Sequence, residues 1–171
     1  MESRRPVNSG VGLLIVVNDM DKADRKMLHD IVRYGWHVLK VMEDDEGPAF
    51  AFTIGLYHSY KHPEVLMIGL DLDFMHHILN NIGGDIKKGI HYEAGKEYPE
   101  IVADYNCSFQ KIDKRFYKDY LGTAMYFYNP ESFPALQCVY PDKSGRYPWN
   151  RGCSKAFREQ EPVLTRKPIE S

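Results

Sequence analysis

The sequence predicts an α+β fold: a single domain with a mostly antiparallel central sheet and about three helices packed on it. Short apolar runs rich in β-branched and aromatic residues alternate with segments whose apolar residues recur at helical spacing. Two of the apolar runs are joined by only seven residues, Tyr57–Pro63. A link of this length favours an antiparallel return, because a parallel crossover generally needs about a dozen residues or more.

Size and composition indicate one domain. The chain has 171 residues, of which 43% are apolar and 27% are charged, and this is enough to bury a sizeable core. We expect a single globular domain over residues 1–171, with irregular segments at 1–10 and 152–171. The formal net charge of -2 gives the chain no overall basic character, although it leaves room for a local basic patch. A nucleic-acid partner is therefore not expected.

The apolar run Val11–Val17 is predicted to be the first strand. It is too short to cross a membrane. Asn18 and Asp19 follow it, where a signal peptide would carry a small-residue cleavage site. The sequence therefore predicts neither a membrane partner nor a secretory signal.

The first helix is predicted to begin after Asp21, a favourable N-cap residue, and to end at Gly35. Its apolar stripe consists of Met27, Leu28, Ile31 and Val32. A strand over Trp36–Met42 follows, and an acidic turn at 43–47 leads to the next strand.

Two central strands are predicted over Phe50–Leu56 and Glu64–Leu70. Alternation in the first strand places Phe50, Phe52, Ile54 and Leu56 on one face, and Ala51, Thr53 and Gly55 on the other. The face with small residues permits close approach, and a packed helix is favoured over a ligand there. The second strand is apolar on both faces, which indicates a position covered on both sides.

A second helix is predicted after Asp71 or Asp73, with Gly83 and Gly84 as its stop. The segment Ile101–Ile112 alternates between apolar and polar residues along its length. This pattern predicts one half-exposed strand.

Asp113 is predicted to cap a third helix that ends before Pro130. The last predicted strand is Leu136–Tyr140. The tail after Arg151 shows no regular pattern.

Three cysteines, Cys107, Cys138 and Cys153, are too few and too far apart in sequence for a disulfide scaffold. Reduced thiols in a cytoplasmic protein are the simplest interpretation. Cys138 would be a candidate nucleophile only if it were exposed and close to a histidine. Its place within an apolar strand favours a buried thiol instead.

The link between the central strands carries His58, His62 and Glu64. The spacing of the two histidines would place both on one face of a helix, as in zinc proteases, but His62 precedes Pro63, which disfavours helical backbone there. A metal site built from the three side chains in a loop lacks a fourth ligand. No metal site is predicted, and a plain polar turn is the alternative to a functional site.

A second unusual segment follows the last strand. Asp142–Gly145 carries turn residues, and Arg146, Tyr147 and Trp149 come directly after it. Arg, Tyr and Trp are favoured at binding hot spots. The alternative is that the two rings only cap one end of the core.

We expect the His58–Glu64 link and the Asp142–Trp149 loop to meet at one end of the sheet. Arg146 would then pair with Glu64, with Asp142 or with an incoming anion. The predicted binding residues are His58, His62, Glu64, Asp142, Arg146, Tyr147 and Trp149.

The segments Phe50–Leu56, His62–Glu64 and Pro141–Trp149 together resemble the bacterial domain-of-unknown-function 4262 family. The family's motifs are F-x-[YF]-T-[IV]-G-L, H-P-E and P-D-x-x-G-x-[FY]-P-W, and the chain matches all three in order. The resemblance covers about residues 34–152. One departure is Tyr140, where the pattern often carries Trp. The resemblance implies a small bacterial cytoplasmic domain and brings no established reaction with it.

Three functions are open, and the favoured one is a binding protein, an immunity-like or regulatory partner of another protein. Two observations favour this function: the chain has no complete catalytic motif, and it does have the aromatic loop. The second is a hydrolase or transferase, with His62 as base, Glu64 or Asp142 orienting it, and Arg146 holding an anion.

The third function is a small-molecule or flavin-binding domain. A planar ring would lie against the small-residue face of Phe50–Leu56 and stack on Trp149. The chain has no glycine-rich phosphate loop to support this function. No cofactor is therefore predicted, and the sequence gives no indication of the oligomeric state.

Overall fold

A computed structural model describes residues 20–167 of the chain. The predicted strand Val11–Val17 lies outside the described residues. Within 20–167 the protein has six strands and six helices and forms an α+β domain, as predicted. About three helices were expected, and the three further ones are short.

The strands are β1 (His37–Val41), β2 (Phe50–Ile54), β3 (Glu64–Ile68), β4 (Glu97–Val102), β5 (Tyr105–Lys111) and β6 (Ala135–Val139). The helices are α1 (Lys22–Tyr34), α2 (Leu56–Tyr60), α3 (Leu72–Lys87), α4 (Tyr117–Tyr120), α5 (Gly122–Tyr128) and α6 (Lys155–Gln160). A single 3-10 turn, Lys114–Phe116, leads into α4.

The strands form one sheet in the order β1-β2-β3-β6-β5-β4. All neighbours are antiparallel except β3 and β6, which run parallel with Glu64 beside Ala135. The predicted adjacency of the two central strands is confirmed, because β2 and β3 pair antiparallel with Phe50 opposite Ile68.

The core has one apolar layer on each face of the sheet. On one face α3 covers β2 and β3 through Met75, Ile78 and Leu79, which cluster with Ala51, Val65 and Met67. On the other face α1, α4 and α5 surround Phe52, Ile54 and Leu66. The small-residue face of β2 is therefore filled by a packed helix, as its composition favoured.

Three helix ends follow the predicted capping. The side chain of Asp21 accepts a hydrogen bond from the backbone N–H of Asp24 at 2.8 Å and begins α1. Gly35 ends it with a φ of 103°, in the left-handed region that glycine adopts without strain. The side chain of Asp71 caps α3 in the same way through the N–H of Phe74.

The predicted stop at Gly83 and Gly84 is wrong, because α3 continues to Lys87. Gly83 is buried in the helix, and a Cβ at this position would lie only 2.4 Å from Cε2 of Trp36. The glycine is therefore needed for close approach of the indole to the helix. A glycine pair is typical of a helix C-terminus, and this is why the pattern wrongly predicts an end here.

The single strand predicted over Ile101–Ile112 is two strands of a hairpin. Ala103 and Asp104 form the turn between β4 and β5, with Ala103 at a φ of 48°. The polar residues of β5 are not on a solvent face, since Ser108 and Gln110 are both buried and hydrogen-bonded to each other at 2.8 Å. The segment after α6 lies on this side of the sheet, since the side chain of Gln137, the register partner of Gln110, accepts a hydrogen bond from the N–H of Leu164 at 2.8 Å.

Two further segments differ from the predictions. The third helix is divided because Leu121 leaves helical geometry, with φ -123° and ψ 27°, so that α4 ends before it and α5 begins after it. The tail beyond Arg151, expected to be irregular, contains α6, which Ser154 caps through the N–H of Phe157.

Leu56 is the remaining correction in the fold. It begins α2 and packs with the α3 layer, not with Phe52 and Ile54 as the alternation predicted. The strand ends at Ile54, so the period of two no longer applies at Leu56.

No helix among the described residues is long and apolar enough to cross a membrane.

We predict that Met67→Asp and Ile68→Asp each unfold the domain. Both side chains are fully buried, one in each apolar layer. An unpaired buried carboxylate costs several kcal/mol out of a total stability of roughly 5–15 kcal/mol. Urea unfolding followed by circular dichroism measures the loss of folding free energy.

Val32→Asp is the matched control, because the Val32 residue is 81% exposed. We expect it to change the unfolding free energy by no more than about 0.5 kcal/mol. A Met67→Asp protein that unfolds cooperatively at the parental midpoint would contradict the assignment of β3 as the centre of the core.

Candidate functional site

Glu64 is the most heavily hydrogen-bonded side chain of the predicted site. It is fully buried at the start of β3. Its Oε1 atom accepts three hydrogen bonds and its Oε2 atom accepts two. The five donors are the backbone N–H groups of Gly55, Leu56 and Tyr57, at 2.8, 3.3 and 3.2 Å, the hydroxyl of Thr53 at 2.6 Å, and the hydroxyl of Tyr128.

These contacts join four elements of the fold. The three N–H groups belong to the N-terminal end of α2, Thr53 to β2 and Tyr128 to α5. Burial raises the pKa of Glu64, while the hydrogen bonds from Thr53 and Tyr128 act to lower it. With both oxygens occupied and no exposed surface, the carboxyl is a structural group and does not contact a partner.

His62 is held in the same way. Its Nδ1 donates to the carbonyl of Pro63 at 2.7 Å, and its Nε2 accepts from the N–H of Tyr92 at 3.0 Å. These contacts assign the proton to Nδ1. Only 1% of the residue is exposed, and burial lowers the pKa of its imidazole. Neither nitrogen is available to take a proton from a substrate.

His58 is the exposed member of the link. It lies on α2, its backbone N–H donates to the hydroxyl of Tyr128 at 3.1 Å, and its ring lies edge-on to Phe127 with centroids 6.0 Å apart. The three candidates of the link therefore do not form a shared metal site. Within residues 20–167, no group of three or more His, Cys, Asp or Glu side chains is arranged to hold a metal ion.

The predicted meeting of the two loops is wrong. The His58–Glu64 link precedes β3, and the Asp142–Trp149 loop follows β6. Because β3 and β6 are parallel, the start of one strand and the end of the other lie at opposite ends of the sheet. The hydroxyl of Tyr140 marks the second end, where it donates to the carbonyl of Ile68 at 3.0 Å.

The Asp142–Trp149 loop is built around one carboxylate. Oδ1 of Asp142 accepts from the N–H groups of Ser144 and Arg146 at 2.9 Å each, and Oδ2 accepts from Nε of Arg146 at 3.1 Å. The backbone closes the turn through the N–H of Gly145, which donates to the carbonyl of Asp142 at 2.9 Å. Arg146 thus pairs with Asp142, one of its predicted partners, and not with Glu64.

Tyr147 and Trp149 continue the loop as a stacked pair, with ring centroids 4.8 Å apart and planes 12° from parallel. The hydroxyl of buried Tyr147 donates to the carbonyl of Asn106 at 3.0 Å, and its N–H donates to Oδ1 of Asn150 at 2.7 Å. Trp149 is half-buried on top of this anchor. The pair therefore caps the core through Tyr147 and presents Trp149 at the surface.

Two hollows border Trp149. The larger, about 490 Å³, is also lined by Glu97, Asp104 and Asn106 of the β4–β5 hairpin. The smaller, about 210 Å³, is lined by Arg158 and Glu161 near α6. The hairpin residues were missed by the sequence analysis, because nothing in their local pattern indicates that β5 lies beside β6.

Glu161 is a buried carboxyl at the smaller hollow. Its Oε1 accepts from the N–H of Tyr140 at 2.9 Å, whereas Oε2 has no hydrogen-bond partner among the described residues. Burial raises the pKa of this carboxyl well above its ordinary value. No local pattern indicated this carboxyl, because it lies within residues 152–171, which were expected to be irregular.

The three thiols lie inside the protein. Cys107, Cys138 and Cys153 are all free and buried. Burial raises the pKa of the Cys138 thiol well above its ordinary value, and Cys107 on the neighbouring strand adds to the effect. Cys138 is therefore a core thiol, as its apolar strand favoured, and is not a nucleophile.

We predict that Glu64→Gln destabilises the domain by about 2–5 kcal/mol, because an NH₂ group would replace an accepting oxygen among converging donors. Urea unfolding at neutral pH measures the change. Glu43→Gln, at an exposed position, is the control and should stay within about 0.5 kcal/mol of the parent. An equally small effect of Glu64→Gln would contradict the structural role of this carboxyl.

We predict that the Asp142 turn is formed at neutral pH and is lost only in acid. Hydrogen bonds from the N–H groups of Arg146 and Ser144 and from the Arg146 side chain lower the pKa of Asp142. A lowered pKa stabilises the loop above the ordinary aspartate value of about 3.9, and the contribution disappears as the pH falls through the lowered pKa.

NMR amide shifts of Ser144 and Arg146 report this titration. Both amide shifts should change with a common midpoint at a pH below about 3.9. In Asp142→Asn this pH-dependent change should be absent. A midpoint above that value in the parent would show that the turn does not hold the carboxylate.

Comparison with known families agrees with the motifs. A family model described as "Domain of unknown function (DUF4262)" matches residues 30–154. No curated protein and no solved structure matches the chain. The matched residues run from within α1 to Ser154, the N-cap residue of α6, and include both the Glu64 network and the Trp149 loop. The chain belongs to the DUF4262 family, a family defined by a domain of unknown function.

Proposed function

We propose that the protein is a bacterial cytoplasmic binding protein, immunity-like or regulatory, that contacts another protein through the Asp142–Trp149 loop. The observation that carries the proposal is a half-buried Trp149 fixed by a stack on an anchored tyrosine, with hollows of about 490 and 210 Å³ beside it. Of the predicted binding residues, Asp142, Arg146, Tyr147 and Trp149 belong to this surface. His62 and Glu64 support the fold elsewhere.

The loop is suited to binding because its conformation is set before a partner arrives. Asp142 holds the turn through its carboxylate, and Tyr147 is tied to Asn106 and Asn150. Ordering a surface on binding costs free energy, so a surface that is already ordered binds more tightly for the same contacts. Rigid Trp, Tyr and Arg side chains are also the residues that dominate binding energies at protein interfaces.

The larger hollow favours a positively charged group from the partner. Carboxylates of Glu97 and Asp104 line it together with the aromatic side chains of Tyr105, Tyr147 and Trp149. Carboxylates attract a lysine or arginine side chain, and aromatic faces add a cation–π contribution. We therefore propose a partner that inserts a basic side chain beside Trp149.

The alternative of a hydrolase or transferase receives less support from the geometry. It requires His62 and Glu64 to act together with Asp142 and Arg146, and these pairs lie at opposite ends of the sheet. The flavin alternative requires a ring between β2 and Trp149, and α3 covers the small-residue face of β2.

The proposal is tested with the products of the genes that neighbour this one, each purified and passed over the immobilised protein in a biolayer interferometry experiment. We expect one of them to bind, and Arg146→Ala with Trp149→Ala to weaken that binding about 1,000-fold, since two hot-spot residues each contribute roughly 2 kcal/mol and each 1.4 kcal/mol is a factor of about ten. Asp104→Lys should weaken it as well, by repelling the basic side chain.

The matched control replaces one arginine and one aromatic residue elsewhere, Arg25 on α1 and Tyr126 on α5, both exposed. This double variant should bind like the parent. If the two double variants bind the partner with equal affinity, the Asp142–Trp149 loop is not the interface. A large drop in melting temperature for Trp149→Ala would instead show that the loop acts mainly as a cap on the core.

A further inference from the structure

A further cavity among the described residues lies far from the Trp149 loop. It is a cleft of about 690 Å³ along the outer side of β1, between α1 and α3. Small-molecule sites are typically clefts of about 300–1,000 Å³ with mostly apolar walls and a few placed polar groups. The size of this cleft is within that range.

A histidine and an aspartate in this cleft are paired. Nδ1 of His37 lies 2.8 Å from Oδ2 of Asp30, and the two side chains are only 16% and 15% exposed. Lys26 donates to the same oxygen at 2.8 Å. Burial acts to raise the pKa of Asp30, but the hydrogen bonds from Lys26 and His37 lower it below its ordinary value.

The ionised carboxylate fixes the tautomer of the imidazole. Asp30 accepts the Nδ1 proton of His37, so whenever the ring is uncharged its Nε2 atom carries the lone pair. No residue within 20–167 forms a hydrogen bond with this Nε2 atom. His37 is therefore oriented as a proton acceptor and has its accepting atom unused, in contrast to His62, whose two nitrogens are both engaged.

The walls of the cleft suit a flat ring. Met27, Leu39 and Trp36 provide apolar surface, and Trp36 is fixed because its Nε1 donates to Oδ1 of Asn80 at 3.0 Å. The same indole packs against Gly83 of α3. An aromatic wall held on two sides is a ready surface for a ring to lie against.

We propose that this cleft is a binding site for a small ring compound with a weakly acidic hydroxyl group, a phenol or hydroxy-heteroaromatic, whose O–H donates to Nε2 of His37. Asp30 is the positioning residue. Proton transfer would break the O–H bond and form the Nε2–H bond, leaving an imidazolium beside Asp30 and a phenolate on the ligand. Lys26 and Lys40 in the lining would offset the charge of the phenolate.

Other charged or titratable groups face this site and contribute to its electrostatics. Lys40 is paired with Asp73 at 3.0 Å, and burial with nearby positive charge lowers the pKa of His76. The other titratable or charged groups that line the cleft are Asp24, Lys26, Asp30, Tyr34, Lys40 and His76. His29 lies 3.5 Å from Asp30 at its rim.

The probe is 4-nitrophenol, titrated into the full chain at a pH where the free compound is protonated and colourless. Calorimetry measures its binding, and visible absorbance measures how much of it is ionised. We expect saturable binding that His37→Gln weakens about tenfold or more, the value of a lost hydrogen bond to the ligand. Any phenolate colour that appears should fall about tenfold in Asp30→Asn, because the imidazolium loses its neighbouring charge.

His77→Gln is the matched control, because His77 is an exposed histidine on α3 with an asparagine and no carboxylate as its hydrogen-bond partner. It should bind 4-nitrophenol like the parent. Should His37→Gln fail to fold, the ¹⁵N shift of His37 Nε2 in the unaltered protein gives the answer, since it must change on addition of 4-nitrophenol. Absence of saturable binding, equal binding by His37→Gln, or an unchanged Nε2 shift would overturn the proposal and leave His37 as a tie between α1 and β1.

Discussion

The convergence of five hydrogen-bond donors on the carboxyl of Glu64 is the constraint on which the arrangement of the fold depends. A buried carboxyl is costly unless its oxygens are hydrogen-bonded. Here the requirement is met by bringing β2, the first turn of α2 and α5 to the start of β3. The network extends one step further, because the Thr53 hydroxyl accepts from the N–H of Val65 at 2.9 Å and the Tyr128 hydroxyl accepts from the N–H of His58 at 3.1 Å.

The conformation of Gly55 is part of the same constraint. Its φ of 111° lies in the left-handed region, and this turns the chain sharply from β2 into α2. A Cβ at this position would also lie 2.8 Å from the carbonyl oxygen of Gly35. The T-I-G-L and H-P-E parts of the family motif thus belong to one buried structure. The conformation of the glycine points the backbone N–H groups at the carboxyl of Glu64, which accepts their hydrogen bonds.

Much of the fold was predictable because its signals are local. The alternation of Phe50–Ile54, the apolar character of Glu64–Leu70 and the caps Asp21 and Asp71 each depend on residues a few positions apart. The predictions that failed depend either on distant contacts or on a turn that carries no local signal. Gly83 ended the predicted helix because the packing of Trp36 against it is not visible in the sequence, and a turn at Ala103–Asp104 lacks the glycine or asparagine that usually marks a hairpin.

The same distinction between local signals and distant contacts applies to the candidate site. Polar residues in a short link suggest exposure, but the partners that bury His62 and Glu64, Tyr92 and Tyr128, are far along the chain. The Asp142–Trp149 loop, in contrast, contains its own turn residues, so the turn itself was predicted correctly. Its distance from the link could not be predicted, because one parallel pair, β3 with β6, in an otherwise antiparallel sheet decides it.

The buried thiols have a consequence for how motions of this protein can be followed. Cys107 and Cys138 lie on the paired strands β5 and β6, and Cys153 lies just before α6. A thiol reagent reacts only with an accessible thiolate, so each cysteine is labelled only while its surroundings are open. The two strand thiols therefore report opening of the sheet interior, and the third reports release of the segment that carries α6. The natural sequence thus contains separate reporters for global and local unfolding, without any engineered label.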